Sequence, residues 1–294
     1  MRFVLACAAV ASAVAFAAPA VAQQQPPQIE TKKVEGTDNV YIFRYGGHQS
    51  MFVVTKDGVI ATDPVAYGRP TGGQQYVDEI KKVTDKPIKY LIYSHHHFDH
   101  AAGGKAFKDA GARIIGHKNV KPHLAATKDP HTIMPDEFIG DKKTIKLGGT
   151  TLELMYLGLN HSDSTIVMRL PKEKIIFLVD TIPVGTYFGR GFIDIFPLET
   201  EDFIKKVIAL EWDRMIPGHP GQPGGRLGTK DDAKKVLQMM QEASAEMKKM
   251  GQDGKCWDAG ERDFKQPQYE SLPGYAAGLG MVARRYCGLW GRGT

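Results

Sequence analysis

The sequence is poor in cysteine and lacks the motifs of the common protein nucleophiles. Its three cysteines are Cys7, Cys256 and Cys287 among 294 residues, and no two of them form a CxxC pair. It has no GxSxG motif, no paired cysteine and histidine, and no glycine-rich loop of the kind that cradles phosphate. The sequence therefore offers no candidate protein nucleophile, and its cysteines are not expected to bind metal.

The sequence also lacks a strong excess of charge of either sign. It has 38 basic and 33 acidic residues, a net charge of +5 and a pI near 8.9. This bias is too small, and the lysines are too scattered, to indicate a nucleic-acid partner. With 42% hydrophobic and 24% charged residues, the composition is that of an ordinary globular protein. We therefore expect a small-molecule substrate and no nucleic acid; the oligomeric state is not predicted.

Only one long apolar run is present, and it lies near the N-terminus. Residues 3–18 are rich in alanine and valine, follow Arg2, and precede the small-residue site Ala20-Val21-Ala22. The run is too short and too alanine-rich for a stable membrane span, and it predicts a signal peptide over 1–22. We therefore expect a periplasmic or secreted protein with no stable membrane span after cleavage.

Cleavage at that site would remove Cys7 and leave two cysteines near the C-terminus. In an oxidising compartment an even pair of this kind predicts a disulfide between Cys256 and Cys287. The alternative is that both are buried thiols.

The most informative stretch that is present is the hexapeptide from His95 to His100, with the sequence HHHFDH. It follows the apolar run 89–94, and it offers four imidazoles and one carboxylate, which are ligands that zinc prefers. Positions two apart face the same way in an extended backbone, so His95, His97 and Asp99 can converge. A solvated histidine-rich loop is the alternative interpretation.

Three further candidate ligands follow apolar segments that read as strands. They are His161, Asp180 and His219. An ionised aspartate after five apolar residues is costly to bury unless it is paired or bound to metal. The remaining histidines outside the hexapeptide are expected to have structural or surface roles; they are His48, His117, His123 and His131.

Hydrophobic patterning predicts two series of strands, each followed by helices. The first series comprises strands at 39–45, 51–55, 59–62, 90–93 and 112–116, with helices at 73–83, 101–110 and 119–126. The second comprises strands at 144–147, 151–156, 165–170, 174–179 and 214–216, with helices at 200–210 and 230–250. An Asp-Gly turn at 57–58 predicts a hairpin. This order fits two sheets packed face to face with helices outside and the site at one sheet edge.

No strong linker divides the chain. We therefore predict one domain over 23–253 and a C-terminal appendage over 254–294 that packs on it.

The HxHxDH motif, followed in order by His161, Asp180 and His219, resembles that of the metallo-β-lactamase-fold hydrolases over residues 39–219. The resemblance implies an α+β fold, a four-layer αβ/βα sandwich, with two Zn²⁺ ions, and iron is the alternative metal. It implies first-metal ligands at His95, His97 and His161, and second-metal ligands at Asp99, His100 and His219. Asp180 corresponds to the bridging carboxylate, and Asp99 is also expected to be catalytic by orienting the nucleophile.

Within that family, a bridging aspartate is similar to the pattern of glyoxalase II and lactonases. The β-lactamases proper usually have cysteine or serine at the position of Asp180, and one major group has a lysine three residues later. Pro183 occupies that later position here, where some lactonases carry a tyrosine. In the loop beyond it, Tyr187 and Arg190 are candidates for substrate binding, with an ordinary surface turn as the alternative.

The resemblance thus predicts a binuclear zinc hydrolase that uses a metal-bridging hydroxide to cleave an ester, lactone, thioester or amide. Alternatives are β-lactamase activity, a mononuclear iron persulfide dioxygenase, and a metal-binding accessory protein without turnover. The signal peptide argues against the tRNA-processing branch and against glutathione thioesters as the main substrate.

Overall fold

The computed structural model describes residues 29–256 and 258–293, except for the side chain of Arg190. The predicted signal peptide and Cys7 lie outside these residues. The strands in chain order are β1 (Ile29–Lys33), β2 (Val40–Tyr45), β3 (His48–Val54), β4 (Val59–Thr62), β5 (Ile88–Ile92), β6 (Arg113–His117), β7 (Glu137–Ile139), β8 (Lys142–Leu147), β9 (Thr150–Tyr156), β10 (Ile166–Leu170), β11 (Ile175–Leu178) and β12 (Arg214–Pro217).

The α-helices in chain order are α1 (Gly72–Val83), α2 (Phe98–Ala101), α3 (Gly104–Asp109), α4 (Val120–Thr127), α5 (Pro197–Ala209), α6 (Lys230–Gln252), α7 (Asp258–Asp263) and α8 (Tyr275–Arg292). Two short 3-10 helices span Arg190–Asp194 and Pro267–Tyr269. Among the described residues, no helix is both long enough and apolar enough to cross a membrane.

The described strands form a seven-stranded sheet in the order β1 to β7 and a five-stranded sheet in the order β12-β11-β10-β9-β8. Strands β4 to β7 pair in parallel, as do β11 and β12. The predicted hairpin is confirmed, because β3 and β4 pair antiparallel across the Asp57-Gly58 turn. Carboxyl ends of neighbouring parallel strands lie at the same edge of a sheet, so loops that follow them can share one site.

The fold has four layers, which are a helical layer, the first sheet, the second sheet and a second helical layer, and an apolar cluster lies between each neighbouring pair. Residues such as Met51, Ile92 and Phe177 fill the space between the two sheets. Tyr76 and Phe107 belong to a second cluster, between the first sheet and helices α1 and α3. The third cluster packs helices α5, α6 and α8 on the second sheet. Strand β11 is apolar throughout because its residues alternately face the inter-sheet core and the helical layer, and both faces are buried.

One predicted helix is interrupted in the structure. Instead of a continuous helix over 101–110, α2 ends before Gly103 and α3 begins after it. Gly103 has φ +102, and a Cβ there would lie 2.5 Å from the Cβ of Ala66. Only glycine permits both this backbone conformation and this close approach, and the break lets the ligand-bearing α2 turn independently of α3.

The C-terminal segment is more regular than the sequence indicates. Helix α8 is not predicted, because its glycines lower helix propensity. One of them, Gly278, is needed for packing, since a Cβ there would lie 2.1 Å from the carbonyl oxygen of Phe188. Helix α8 shares the cluster that contains α5 and α6; the division into a domain and an appendage stays a prediction.

The predicted disulfide is not formed between the two C-terminal cysteines. Cys287 lies on α8 next to Gly260, whereas Cys256 lies against Gly291 on the same helix. Residues 287 and 291 are about one helical turn apart, so the two sulfurs lie beside successive turns of α8. Both cysteines pack instead in or against the apolar cluster of the helical layer.

Candidate metal centre

The candidate ligands follow strands of both sheets at the edge where the sheets meet. His95 and His97 follow β5, Asp180 follows β11, and His219 follows β12. Main-chain hydrogen bonds join the sheets beside them: Ile166 donates its N–H to the carbonyl of Ser94 at 2.9 Å. The loop that carries His219 is held similarly, by the N–H of Gln49 on the carbonyl of Gly218 at 2.7 Å.

The first group of side chains comprises His95, His97, His161 and Asp180. One nitrogen or oxygen from each lies within 4.8 Å of the others. Nε2 of His161 lies 2.9 Å from Nδ1 of His97. Oδ2 of Asp180 lies 3.6 Å from Nε2 of His95 and 3.5 Å from Nε2 of His161. Three imidazoles and one carboxylate oxygen therefore converge, which is a donor set that suits zinc.

The second group comprises His48, Asp99, His100 and His219 within the same 4.8 Å limit. Asp180 reaches this group too, with Oδ2 at 3.3 Å from Nε2 of His100 and Oδ1 at 2.8 Å from Nε2 of His219. Asp180 has φ +59, an unfavourable backbone conformation for a residue other than glycine, of the kind that concentrates at functional sites. The structure therefore brings together all seven side chains in the predicted set, with Asp180 between the two groups.

The hydrogen bonds of His95 and His219 leave one nitrogen of each facing the site. Ser94 donates its hydroxyl proton to Oδ2 of Asp63 at 2.6 Å, so its oxygen accepts from Nδ1–H of His95 at 2.9 Å. Nε2 of His95 is then unprotonated, and it is buried without a hydrogen-bond partner. Nδ1–H of His219 likewise donates to the carbonyl of Gly47 at 2.7 Å. These nitrogens are oriented as metal ligands require.

The electrostatics of the two groups differ. In the first, burial and neighbouring imidazoles lower the pKa of His95 and His97, and burial lowers the pKa of His161, so all three are neutral at pH 7. In the second, burial opposes protonation of His100 and His219, but Asp180 raises the pKa of both. The neutral imidazoles of the first group can bind a divalent cation directly, whereas a cation in the second group would displace the protons that Asp180 favours on His100 and His219. The described residues therefore fit the metals that the sequence predicts.

A third group, which comprises His96, His123 and Asp163, does not have the same geometry. The rings of His96 and His123 are stacked, with centroids 3.7 Å apart and planes 5° apart. The lone pair of an imidazole nitrogen lies in the plane of its ring, so the lone pairs of two stacked rings lie in parallel planes and do not converge on one ion. Nδ1 of His96 instead lies 2.8 Å from the hydroxyl of Ser164. His96 thus turns away from the other two groups, as the alternation of side chains predicts.

Sequence reasoning missed three residues of this site. His48, expected to be structural or on the surface, lies within hydrogen-bond distance of Asp99, contrary to that expectation. Ser94 contacts Nδ1 of His95 and donates a hydrogen bond to Asp63, and the sequence analysis predicts a role for neither residue. A signal existed for Asp63, since it directly follows strand β4, much as Asp180 lies two residues beyond the end of β11.

The two candidate substrate-binding residues lie in the loop that follows Asp180. Tyr187 is buried and lines a cavity that opens on the candidate ligands. The side chain of Arg190 lies outside the described residues.

Comparison with known proteins identifies the family. The sequence model of the metallo-beta-lactamase superfamily matches residues 44–236. The chain belongs to this superfamily. A solved metallo-beta-lactamase from Pontibacter korlensis has the same fold, with a TM-score of 0.64 and 20% identity, covering 73% of this chain and 99% of the other. The predicted superfamily and its αβ/βα sandwich are thereby confirmed.

Two curated relatives of similar sequence have names that describe different activities. The 2,4-dinitroanisole O-demethylase subunit alpha of Nocardioides sp. (strain JS1661) is 24% identical over 211 residues, which are 68% of this chain and 60% of that protein. The metallo-beta-lactamase type 2 of Elizabethkingia meningoseptica is 26% identical over 182 residues, covering 58% and 69%. Superfamily membership supports the prediction of a metal-dependent hydrolase but does not select a substrate.

Proposed function

We propose that this protein is a periplasmic or secreted binuclear zinc hydrolase that cleaves an ester, lactone, thioester or amide bond. The observation that carries the proposal is the position of Asp180, whose two oxygens face both groups of candidate ligands. His95, His97 and His161 would hold one ion, Asp99, His100 and His219 the other, and Asp180 would bridge them. Two such ions supply an activated water at neutral pH and stabilise the leaving group.

In this proposal Asp99 is the residue that orients the attacking water and passes on its proton. Burial acts to raise its pKa, but the hydrogen bond from His48 and the charge of His100 hold the pKa at about 2. Its carboxylate is therefore ionised at pH 7, lines the cavity and is partly exposed. An ionised oxygen in this position would accept a hydrogen bond from the attacking water and so orient it towards a substrate carbonyl.

The test is metal analysis of purified mature protein together with a panel of a lactone, a thioester and a neutral ester. We expect two zinc ions per chain and hydrolysis that a chelator abolishes. One iron per chain with oxygen uptake on a persulfide would instead establish the dioxygenase alternative. Bound metal without turnover on any substrate would establish an accessory metal-binding protein. N-terminal sequencing of protein from the periplasm tests cleavage after Ala22.

The second candidate is β-lactamase activity, which the similarity to the metallo-beta-lactamase type 2 of Elizabethkingia meningoseptica supports. A chromogenic cephalosporin in the same panel measures it. We expect this activity to be lower than that on the best ester or lactone, because the position of the drug-binding lysine holds Pro183. A higher kcat/KM on the cephalosporin would make β-lactam hydrolysis the main function.

A further inference from the structure

A buried asparagine, Asn160, directly precedes the candidate ligand His161. Its Oδ1 accepts hydrogen bonds from the main-chain N–H of His161 at 2.5 Å and from that of Ser162 at 3.4 Å. Its Nδ2 donates to the carbonyl of Gly158 at 3.0 Å. A buried amide is costly unless both of its ends are paired, and here both ends bind the loop that carries His161.

The surroundings of the Asn160 side chain determine which way its amide faces. A main-chain N–H only donates, so the amide oxygen must face His161 and Ser162, and a carbonyl only accepts, so the amide nitrogen must face Gly158. An ionised aspartate would have no proton for that carbonyl. An aliphatic side chain would remove the acceptor from both main-chain donors, which is unfavourable in a buried loop. The position therefore requires an amide and not only a side chain of the right size.

The same amide oxygen also contacts the segment that carries Asp180. The hydroxyl of Thr181 lies 3.3 Å from Oδ1 of Asn160 and 3.2 Å from the carbonyl of Val179, so it can donate to either. Val179 and Thr181 flank Asp180, whose backbone has φ +59. This conformation is unfavourable for an aspartate and persists only where neighbouring contacts hold it. The hydroxyl of Thr181 provides such a contact and joins it to the His161 loop.

The two joined segments carry ligands whose separation matters. Nε2 of His161 lies 3.5 Å from Oδ2 of Asp180, and a functional site needs its groups held within about 0.5 Å of the productive arrangement. His161 lies in the loop between β9 and β10, whereas Asp180 follows β11. Strand pairing fixes the ends of that loop but not its centre. Contacts beyond the strand ends, such as those of Asn160, therefore set the position of His161 relative to Asp180.

We propose that Asn160 is a positioning residue for the first group of candidate ligands. Its amide holds the main chain of His161 and, through the hydroxyl of Thr181, the segment of Asp180, so that both ligands converge on one ion. This inference rests on the function proposed above, because it assigns a role towards a metal that this function requires. It goes beyond that function, because it names residues outside the candidate ligands and states how they are coupled.

The main experiment measures zinc affinity by competition with a chromophoric chelator. Asn160→Ala removes the acceptor that serves both segments, and we expect affinity for at least one zinc ion per chain to fall by about 10–100-fold, as is typical of partners that orient metal ligands. Asn39→Ala is the matched control. Asn39 also makes a side-chain hydrogen bond, to Thr150 at 3.4 Å, but it lies at the start of β2, at the opposite end from the turn that contacts His219. Wild-type affinity in Asn160→Ala would overturn the inference.

A second variant tests the link through Thr181. Valine has the shape of threonine but no hydroxyl proton, so Thr181→Val should weaken zinc binding by roughly 2–10-fold, as expected for loss of one hydrogen bond. Asn160→Ala already removes this contact, so the double variant should bind zinc at most about twofold more weakly than Asn160→Ala. Single effects that multiply in the double variant would overturn the coupling. If Asn160→Ala does not fold, wild-type affinity in Thr181→Val is the result that overturns the inference.

Cobalt substitution separates a positioning role from a purely structural one. The visible absorption of bound Co²⁺ depends on the arrangement of its ligands. It is measured with the sites fully occupied, so it does not depend on affinity or on the free energy of unfolding. We expect an altered spectrum for Asn160→Ala and a wild-type spectrum for Asn39→Ala. An unchanged spectrum in Asn160→Ala would leave Asn160 a structural role only and would overturn the inference.

Neither measurement requires turnover, so failure of this inference and failure of the proposed function are distinguishable. If no ester, lactone, thioester or amide is cleaved, but Asn160→Ala weakens zinc binding and alters the cobalt spectrum, the hydrolase function fails and the positioning role stands. If the wild type is a hydrolase and Asn160→Ala binds metal as the wild type does, the function stands and the positioning role fails. A wild-type protein that binds neither zinc nor cobalt would refute both.

Discussion

Nε2 of His48 lies 3.3 Å from Oδ2 of Asp99, although the two residues are 51 positions apart in sequence. Arg69 places Nη2 at 3.2 Å from the other ring nitrogen, Nδ1. An arginine only donates hydrogen bonds, so Nδ1 accepts and Nε2 carries the proton that His48 donates to Asp99. This tautomer makes His48 a partner that orients Asp99, and it removes Nε2 of His48 from the set of available metal ligands.

Replacement of His48 is therefore expected to impair catalysis while both metals stay bound. His48→Ala removes the donor to Asp99, and partners of this kind typically contribute about 10–100-fold to activity. We expect kcat/KM to fall within that range, with metal content measured in parallel by mass spectrometry. His131→Ala, which alters an exposed histidine, is the control and should behave as wild type. Wild-type kcat/KM in His48→Ala would exclude the positioning role.

Asp180 is expected to be required for metal binding. Asp180→Asn removes the charge that both groups share, so we expect loss of at least one metal per chain. Hydrolysis should fall by more than about 100-fold, the upper end for residues that only orient ligands. Asp194→Asn is the matched control, because Asp194 is an exposed carboxylate on the same cavity and should leave the metal content unchanged. An Asp180→Asn protein with two metals and normal turnover would refute the bridging assignment.

His96 and His97 are neighbours in sequence, but their replacement should have opposite consequences. His96→Ala removes a hydrogen bond to Ser164 and a stacking contact. It should lower the free energy of unfolding by about 1 kcal/mol and leave metal content and kcat/KM unchanged. His97→Ala removes a candidate ligand and should lose metal. Urea denaturation and metal analysis of both variants distinguish these outcomes, and loss of metal from His96→Ala would contradict the orientation described above.

Asp232 is expected to make the stability of the protein depend on pH at the start of α6. Burial acts to raise its pKa, but hydrogen bonds from Arg226 and Thr229 lower it overall. A lowered folded pKa stabilises above the unfolded value of ~3.9, and this contribution is lost as pH falls through the folded pKa. Asp232→Asn should therefore cost about 1–2 kcal/mol at pH 7.

The same variant should differ little from wild type in strong acid, where both side chains are uncharged. Thermal unfolding from pH 2 to pH 7 measures the difference. Asp231→Asn is the control, since its carboxylate is 88% exposed, and substitutions there usually change stability by less than about 0.5 kcal/mol. A cost for Asp232→Asn that is constant across this pH range would show that charge is not the cause.

The sequence by itself was sufficient to predict the family, most of the strands and the set of seven side chains that converge. The apolar runs that form β5, β11 and β12 are local patterns, and the residues that follow them mark where each strand ends. Parallel pairing of β11 and β12 brings the ends of these two strands to one edge, so convergence of Asp180 and His219 follows from strand order. Their approach to His95, which follows β5 in the other sheet, depends on how the two sheets pack. Their role as metal ligands, like that of Asp99, stays a prediction that the variants above test.

Only the tertiary structure determined the surroundings of that set. His48, Asp63 and Ser94 carry no periodic signal, and they matter because β3, β4 and β5 lie side by side. The helix predicted over 101–110 is broken at Gly103 because Ala66 lies against it, and local propensity does not include a contact with a residue so distant in sequence. The cavity that Tyr187 lines likewise combines the loop after Asp180, α6 and the segment before α8, and which of their faces meet depends on how the layers pack.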